Sequence, residues 1–304
     1  MKTGLLFPGQ GAQVVGMGGE LASRSAAARE VFEQAHQVLG FDLLKLCIEG
    51  PAEKLNRTEY SQPALFVHSL AALRQLEAER PNLWDDVLAV AGLSLGEYTA
   101  VAAAGGIDFD AGLRLVQVRG SAMQQAADAV SSGMSSVLGL EREQLEAICA
   151  KATSGTHLVR VANLLCPGNI AISGHLEALE VAERLSVEAG AFKTVRLQVA
   201  GAFHTPIMQP AVEKLSAALQ SVDFRSTRVP VFSNVDAMPH TQPAEFGRLL
   251  SEQVVDPVLW EASLENMLSA GCEQFIEVGA GRILAGTLKR IRRKAICENV
   301  GDLQ

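Results

Sequence analysis

Three residue types in this chain could do chemistry together: a serine at 94, a histidine at 204 and an arginine at 119. The serine stands in Gly92-Leu93-Ser94-Leu95-Gly96, between an apolar β-branched run (Val87–Ala91) and a helical stretch (Glu97–Ala104) closed by Gly105-Gly106. Gly-x-Ser-x-Gly in that setting reads as a nucleophile elbow. A sharp strand-to-helix turn holds the serine in a strained backbone conformation, and the flanking glycines leave room for the neighbouring chain. The hydroxyl then lies beside a helix N-terminus, where the Leu95 amide can donate to a developing oxyanion. The same five residues could form an inert Gly-Ser turn; the strand before and the helix after favour the elbow.

A serine needs a base. His204, in Ala202-Phe203-His204-Thr205-Pro206, follows the serine in the order elbow enzymes use. His36, His68, His157, His175 and His240 sit on helices, at a helix start or in polar loops with less to recommend them. No acidic residue stands out as an orienting partner, so a dyad with a backbone carbonyl behind the histidine is the first choice.

Arg119 speaks to the substrate. It shares one helical stripe with Leu115, Val116, Met123 and Ala126 on a helix predicted from an Asp110 N-cap to about Ala129. A guanidinium on an apolar face is costly unless an anion pairs with it. That anion is either an internal carboxylate or the carboxylate of a ligand, held by two parallel N–H bonds. Phe7-Pro8-Gly9-Gln10-Gly11-Ala12-Gln13 is a glycine-rich loop after a strand; it lacks the lysine and hydroxyl of a phosphate loop and carries only a weak nucleotide signal.

The elements that must position these residues alternate. Gly4–Phe7, Val87–Ala91, Val229–Ser233 and Gln274–Val278 read as strands, and Glu20–Leu39, Ser61–Glu79 and Pro243–Val254 as helices. After a break at Ser131-Ser132-Gly133 comes a strand (134–138), a helix (141–152), two strands (158–163 and 169–173), a helix (175–190) and a strand (193–199). That βαββαβ order predicts a small ferredoxin-like unit over 131–198, inserted into a large α/β domain formed by 1–130 and 199–304.

The 304 residues carry 26 Lys+Arg against 34 Asp+Glu, a formal charge of −8. An acidic chain is a poor general nucleic-acid binder. The longest apolar stretch, 87–106, is interrupted by Ser94, Glu97 and Thr99, so no membrane span is expected. The start is no signal peptide, and five scattered cysteines suggest neither a disulfide framework nor a zinc site; the expectation is a cytoplasmic protein.

Taken together, Phe7-Pro8-Gly9-Gln10-Gly11, Gly92-x-Ser94-Leu95-Gly96-Glu97-Tyr98, Arg119 with Met123, and Phe203-His204 resemble the malonyl-CoA:acyl carrier protein transacylase family. The resemblance spans nearly the whole chain. It implies an α/β-hydrolase-like large domain with a ferredoxin-like insert, and malonyl transfer from coenzyme A to a carrier-protein phosphopantetheine thiol through a malonyl-serine. It implies Ser94 as nucleophile, His204 as base and the amides of Gln10 and Leu95 as oxyanion hole. Arg119 would bind the malonyl carboxylate, and Gln253 would orient His204 through its carbonyl. Gln62, Met123, Asn163 and Phe203 would line the pocket, Phe203 in the form that goes with malonyl rather than a methyl-branched donor. No metal and no cofactor are implied, and a monomer is expected.

This chain departs from the family with Leu93 where His is usual, Leu164-Leu165-Cys166 in the Asn-x-Asn-Ser-Pro stretch, Leu259 for Gln or Arg and Ala280 for Pro. The dense basic run Lys289, Arg290, Arg292, Arg293 and Lys294 could attract an acidic carrier protein or be a solvated helix end. A thioesterase on the same elbow, or a carrier-binding module without turnover, are the alternative readings.

Overall fold

The stretch Thr3-Gly4-Leu5-Leu6-Phe7 is buried at every position, the mark of a strand covered on both faces of a parallel sheet. The computed structural model describes residues 1–301, so the last three residues of the expected large domain lie outside it. Its strands are β1 (Thr3–Phe7), β2 (Val87–Gly92), β3 (Ser132–Leu138), β4 (Val159–Cys166), β5 (Asn169–His175), β6 (Lys193–Arg196), β7 (Val231–Phe232), β8 (Pro239–His240), β9 (Gln274–Val278) and β10 (Ile296–Val300).

One sheet runs β10-β9-β1-β2-β7-β8, parallel throughout except for the β7–β8 pair. Alternate residues of β1 serve different cores. Leu5 and Phe7 pack with Leu65, Val90 and Val116, whereas Leu6 points to the opposite side, towards Phe232, Trp260 and Leu264. The other sheet, β4-β5-β3-β6, is antiparallel throughout. Two helices (Arg142–Ala152 and Leu176–Glu188) cover it, and Val137, Leu145, Ile172 and Leu179 form its own core. This is an α/β-hydrolase-like parallel sheet joined to a ferredoxin-like unit.

Several boundaries fall elsewhere than the sequence pattern suggests. The helix expected over 20–39 is two helices, because Ser25 takes an extended conformation and its side chain accepts from Ala28 N. The arginine-bearing helix (Phe109–Asp128) is capped by Asp108, not Asp110: the Asp108 carboxylate accepts from Ala111 N at 2.9 Å, and Asp110 lies in the first turn. Strand β6 ends at Arg196 and β7 holds only two residues. The Ser61–Glu79 helix begins earlier, at Thr58, and keeps Pro63 within it.

The chain passes from β1 into the Pro8–Gln13 loop and from β2 into Ser94. Both turns lie at the carboxyl ends of neighbouring parallel strands, the edge at which open α/β sheets bind ligands.

Candidate active site

Ser94 has φ 51° and ψ −107°, a strained conformation for a residue with a side chain. It leaves β2 and immediately precedes the helix Leu95–Ala103. The glycines are required by contact: a Cβ on Gly92 would lie 1.9 Å from the Gly96 carbonyl, and one on Gly96 2.1 Å from Phe7 O. Asn234 pins the turn from below. Its Oδ1 accepts from Ser94 N at 2.7 Å, and its Nδ2 donates to Gly92 O at 2.8 Å. Leu95 is the first residue of the helix, so its N–H has no partner within it.

His204 also has positive φ, 61°, in the loop after β6. Its Nε2 is 2.9 Å from Ser94 Oγ, and its Nδ1 is 2.8 Å from the backbone carbonyl of Gln253. A carbonyl only accepts, so Nδ1 carries the proton and Nε2 turns a lone pair to the serine. Burial, and next the positive charge of Arg119, push the His204 pKa down to about 4. The ring is therefore neutral at physiological pH, as a general base must be.

Arg119 is 1 % exposed. One Nη donates to Ser94 Oγ at 3.1 Å and to Gln253 Oε1 at 2.9 Å, and the guanidinium lies 4.9 Å from the Tyr98 ring centre. Its Nε has no hydrogen-bond partner. No carboxylate forms a salt bridge with it among the described residues, so the internal ion pair that the apolar stripe allowed is absent there.

A cavity of about 350 Å³ opens above these groups, lined by Gln10, Gln62, Ser94, Arg119, Met123, Asn163, Phe203 and His204. Leu95 and Gln253 lie outside that lining. Gln62 Nε2 reaches the Met123 sulfur at 3.5 Å, while its Oε1 has no partner. Most of the remaining wall is apolar, from Leu93, Leu165, Leu197, Ile283 and Leu284, with Gln198 a polar exception. A roomier, open cleft of about 580 Å³ on the outer side of the arginine helix, lined by Tyr60, Gln117 and Lys214, holds none of these groups. No group of three or more His, Cys, Asp or Glu able to hold a metal occurs among the described residues, and no helix there is long and apolar enough to cross a membrane.

Two buried residues were not singled out by sequence reasoning. Asn234 gives no signal; it follows a two-residue strand far along the chain. Glu97 gives one: it is the only charged residue of the helix Leu95–Ala103 and is 2 % exposed. Its Oε2 accepts from Gln253 Nε2 at 2.6 Å and from Asn234 N at 3.2 Å. Burial pushes its pKa up to about 7, against the pull of those hydrogen bonds.

Such a site can take a proton from a serine, hold an oxyanion at a helix start and grip an anion with a buried guanidinium. Comparison with known proteins agrees with that chemistry. The family model described as an acyl transferase domain matches residues 5–304. The malonyl CoA-acyl carrier protein transacylase of Bacillus subtilis is 40 % identical over 301 residues, covering 99 % of this chain and 94 % of that one. The acyl-carrier-protein S-malonyltransferase of Bartonella henselae superposes with a TM-score of 0.95 at 37 % identity, covering 99 % of this chain and 96 % of the other. A malonyl-transacylase solved in complex with its type II polyketide acyl carrier protein gives 0.95 at 35 % identity, covering 100 % and 97 %. The chain belongs to the acyl transferase domain family, among the malonyl-CoA:acyl carrier protein transacylases.

Proposed function

We propose that this protein moves a malonyl group from malonyl-CoA to the phosphopantetheine thiol of an acyl carrier protein, through a malonyl ester on Ser94. The observation that carries the reading is the Arg119 guanidinium. It is buried beside the nucleophile, 3.1 Å from Ser94 Oγ, and its Nε is unpartnered. A carboxylate one carbon beyond a thioester carbonyl is short enough to meet the guanidinium while the carbonyl meets the serine.

In this reading His204 Nε2 takes the Ser94 proton as Oγ attacks the thioester carbon. The amides of Gln10 and Leu95 hold the resulting oxyanion. The C–S bond breaks, and the departing coenzyme A thiolate takes the proton from His204. The carrier thiol then repeats the sequence in reverse: it gives His204 its proton, attacks the ester and leaves Ser94 free. Arg119 fixes the ester so that an incoming thiol is favoured over water. Phe203, Met123, Gln62 and Asn163 shape the malonyl pocket. No step needs a metal or cofactor.

The acidic carrier protein would dock on the basic run from Lys289 to Lys294. Ile283, at the cavity, opens the helix Ile283–Ile291 that carries Lys289 and Arg290. Lys289 and Arg290 stand six and seven residues on from Ile283, so the helix rise puts this charge about 10 Å from the cavity lip. Residues 131–198 act as the small domain, with 1–130 and 199–304 as the large one. In this reading the protein acts as a monomer. The proposed setting is the cytoplasm.

Intact-mass measurement tests the reading. Mixing with malonyl-CoA should give a malonyl adduct on the Ser94 peptide, and adding holo carrier protein should discharge it onto the carrier. Rapid release of malonate without transfer would establish a hydrolase, and no adduct would leave only a binding module.

A further inference from the structure

Glu97 plays no part in the steps above, yet it is the acid tied to the arginine. The chain of contacts runs from Glu97 Oε2 to Gln253 Nε2 at 2.6 Å, through that one amide, and from Gln253 Oε1 to the Arg119 Nη at 2.9 Å. Gln253 is wholly buried, and Glu97 and Arg119 nearly so. The amide is held in this orientation independently, since Nε2 also donates to Ser94 O at 2.9 Å. Its dipole points the oxygen at the cation and the N–H at the anion. The carboxyl and the guanidinium are thus coupled through an amide and not in direct contact.

Charge balance then constrains what happens on loading. Buried charges are tolerated when they cancel. With the cavity free of donor, Glu97 balances Arg119 once its carboxyl has ionised, above about pH 7. A malonyl carboxylate brings a second anion to the same cation, and Glu97 is left as an uncompensated buried charge. The other titratable groups that act on this pair are Tyr98, beside Glu97 on the elbow helix, and His204, beside Arg119. The remaining contacts to the Glu97 carboxylate, from Gln253, Asn234 and Ser233, are dipolar.

We propose that Glu97 is the resting counter-ion of Arg119, carried through the Gln253 amide, and that it yields this role by taking a proton from solvent when the acyl carboxylate reaches the guanidinium. Glu97 is a positioning residue in this account; it touches neither substrate nor nucleophile. Donor loading becomes proton-linked, specifically for carboxylated donors. Burial, which holds the carboxyl near neutrality, puts the effect within the working pH range. The inference rests on the malonyl reading above.

The test is calorimetry of malonyl-CoA binding to the Ser94→Ala enzyme in buffers of different ionisation enthalpy, with acetyl-CoA as control. Both donors share the coenzyme, so their difference isolates the carboxylate. Proton uptake specific to malonyl-CoA should rise from near zero at about pH 5.5 towards one per donor at about pH 8.5. Malonyl affinity should fall up to tenfold per pH unit above about pH 8. Adding Glu97→Gln should abolish both effects. Equal uptake with the two donors, or uptake that survives Glu97→Gln, would overturn the proposal. If that variant does not fold, infrared difference spectra of the Glu97 protein at pH 8 decide. A neutral-carboxyl band appearing with malonyl-CoA and not with acetyl-CoA supports the proposal; its absence refutes it. Failure of the underlying reading looks different: the Ser94→Ala protein would then show no preference for malonyl-CoA over acetyl-CoA at any pH.

Discussion

One nitrogen of Arg119 is shared between the Ser94 hydroxyl, at 3.1 Å, and the Gln253 side-chain oxygen, at 2.9 Å. The cation is thereby fixed against the nucleophile by a neutral group, and its Nε stays available. Removing the guanidinium should therefore cost carboxylated donors far more than neutral ones. Arg119→Ala should lower kcat/KM for malonyl-CoA by about 10²- to 10³-fold, the scale of a buried charged hydrogen bond pair. Acetyl-CoA should be used as well as before or better. Steady-state kinetics with both donors check this, and equal losses would remove the carboxylate role.

The buried His204 ring should leave a mark on both rate and stability. With its pKa near 4, malonylation of Ser94 should hold its rate down to about pH 5 and fall below it. Its folded pKa is depressed, so the unfolded chain binds the proton first. Stability from this group is complete above about pH 6.5 and drains away as pH falls towards 4, by about 3 kcal/mol in all. Urea unfolding of the native protein and of His204→Gln across that window measures it; the variant should lose less stability.

The elbow glycines should tolerate no side chain. Gly92→Ala and Gly96→Ala place a Cβ 1.9 and 2.1 Å from backbone atoms that cannot retreat without moving β1 or the helix. Each should cost more than about 3 kcal/mol, seen as a large fall in the urea midpoint or as insoluble protein. Gly286→Ala, on the helix Ile283–Ile291 with nothing near its Cβ, is the control and should be neutral or stabilising.

Charge reversal in the basic run should separate the two half-reactions. Arg290→Glu with Arg293→Glu should raise the KM for holo carrier protein several-fold at low salt, with the gap closing as salt is added. Malonylation by malonyl-CoA should change less than twofold. Burst kinetics of the first step and carrier titration of the second provide the measurement.

Much of this was legible in the residues, and unevenly so. Gly92-Leu93-Ser94-Leu95-Gly96 declares its turn because sterics permit few alternatives there. Arg119 betrays a buried cation because a period of 3.6 residues sets it among apolar neighbours. The strand and helix order of the antiparallel sheet β4-β5-β3-β6 and its two covering helices was readable from the pattern alone. What the sequence hid is what the long-range fold assembles. Asn234 reaches Ser94 across 140 positions, and no local pattern records that. The helices Gln209–Gln220, Trp260–Ser269 and Ile283–Ile291 and strand β10 were missed. Strand β7, two residues long, could not have been bounded, since its place is set by β2 beside it. Gln253 was picked by resemblance, and its second contact, to Arg119, was not foreseen.

The carbonyl that steadies His204 belongs to the main chain, and every amino acid brings the same one. No point substitution at 253 can delete it, whereas the side-chain contacts made from that position, to Arg119, Glu97 and the Ser94 carbonyl, change with the residue. Proton handling is thus insulated from drift, while acyl preference stays open to it. Descendants of this protein, natural or engineered, could explore new donors without first having to rebuild the machinery that activates the serine.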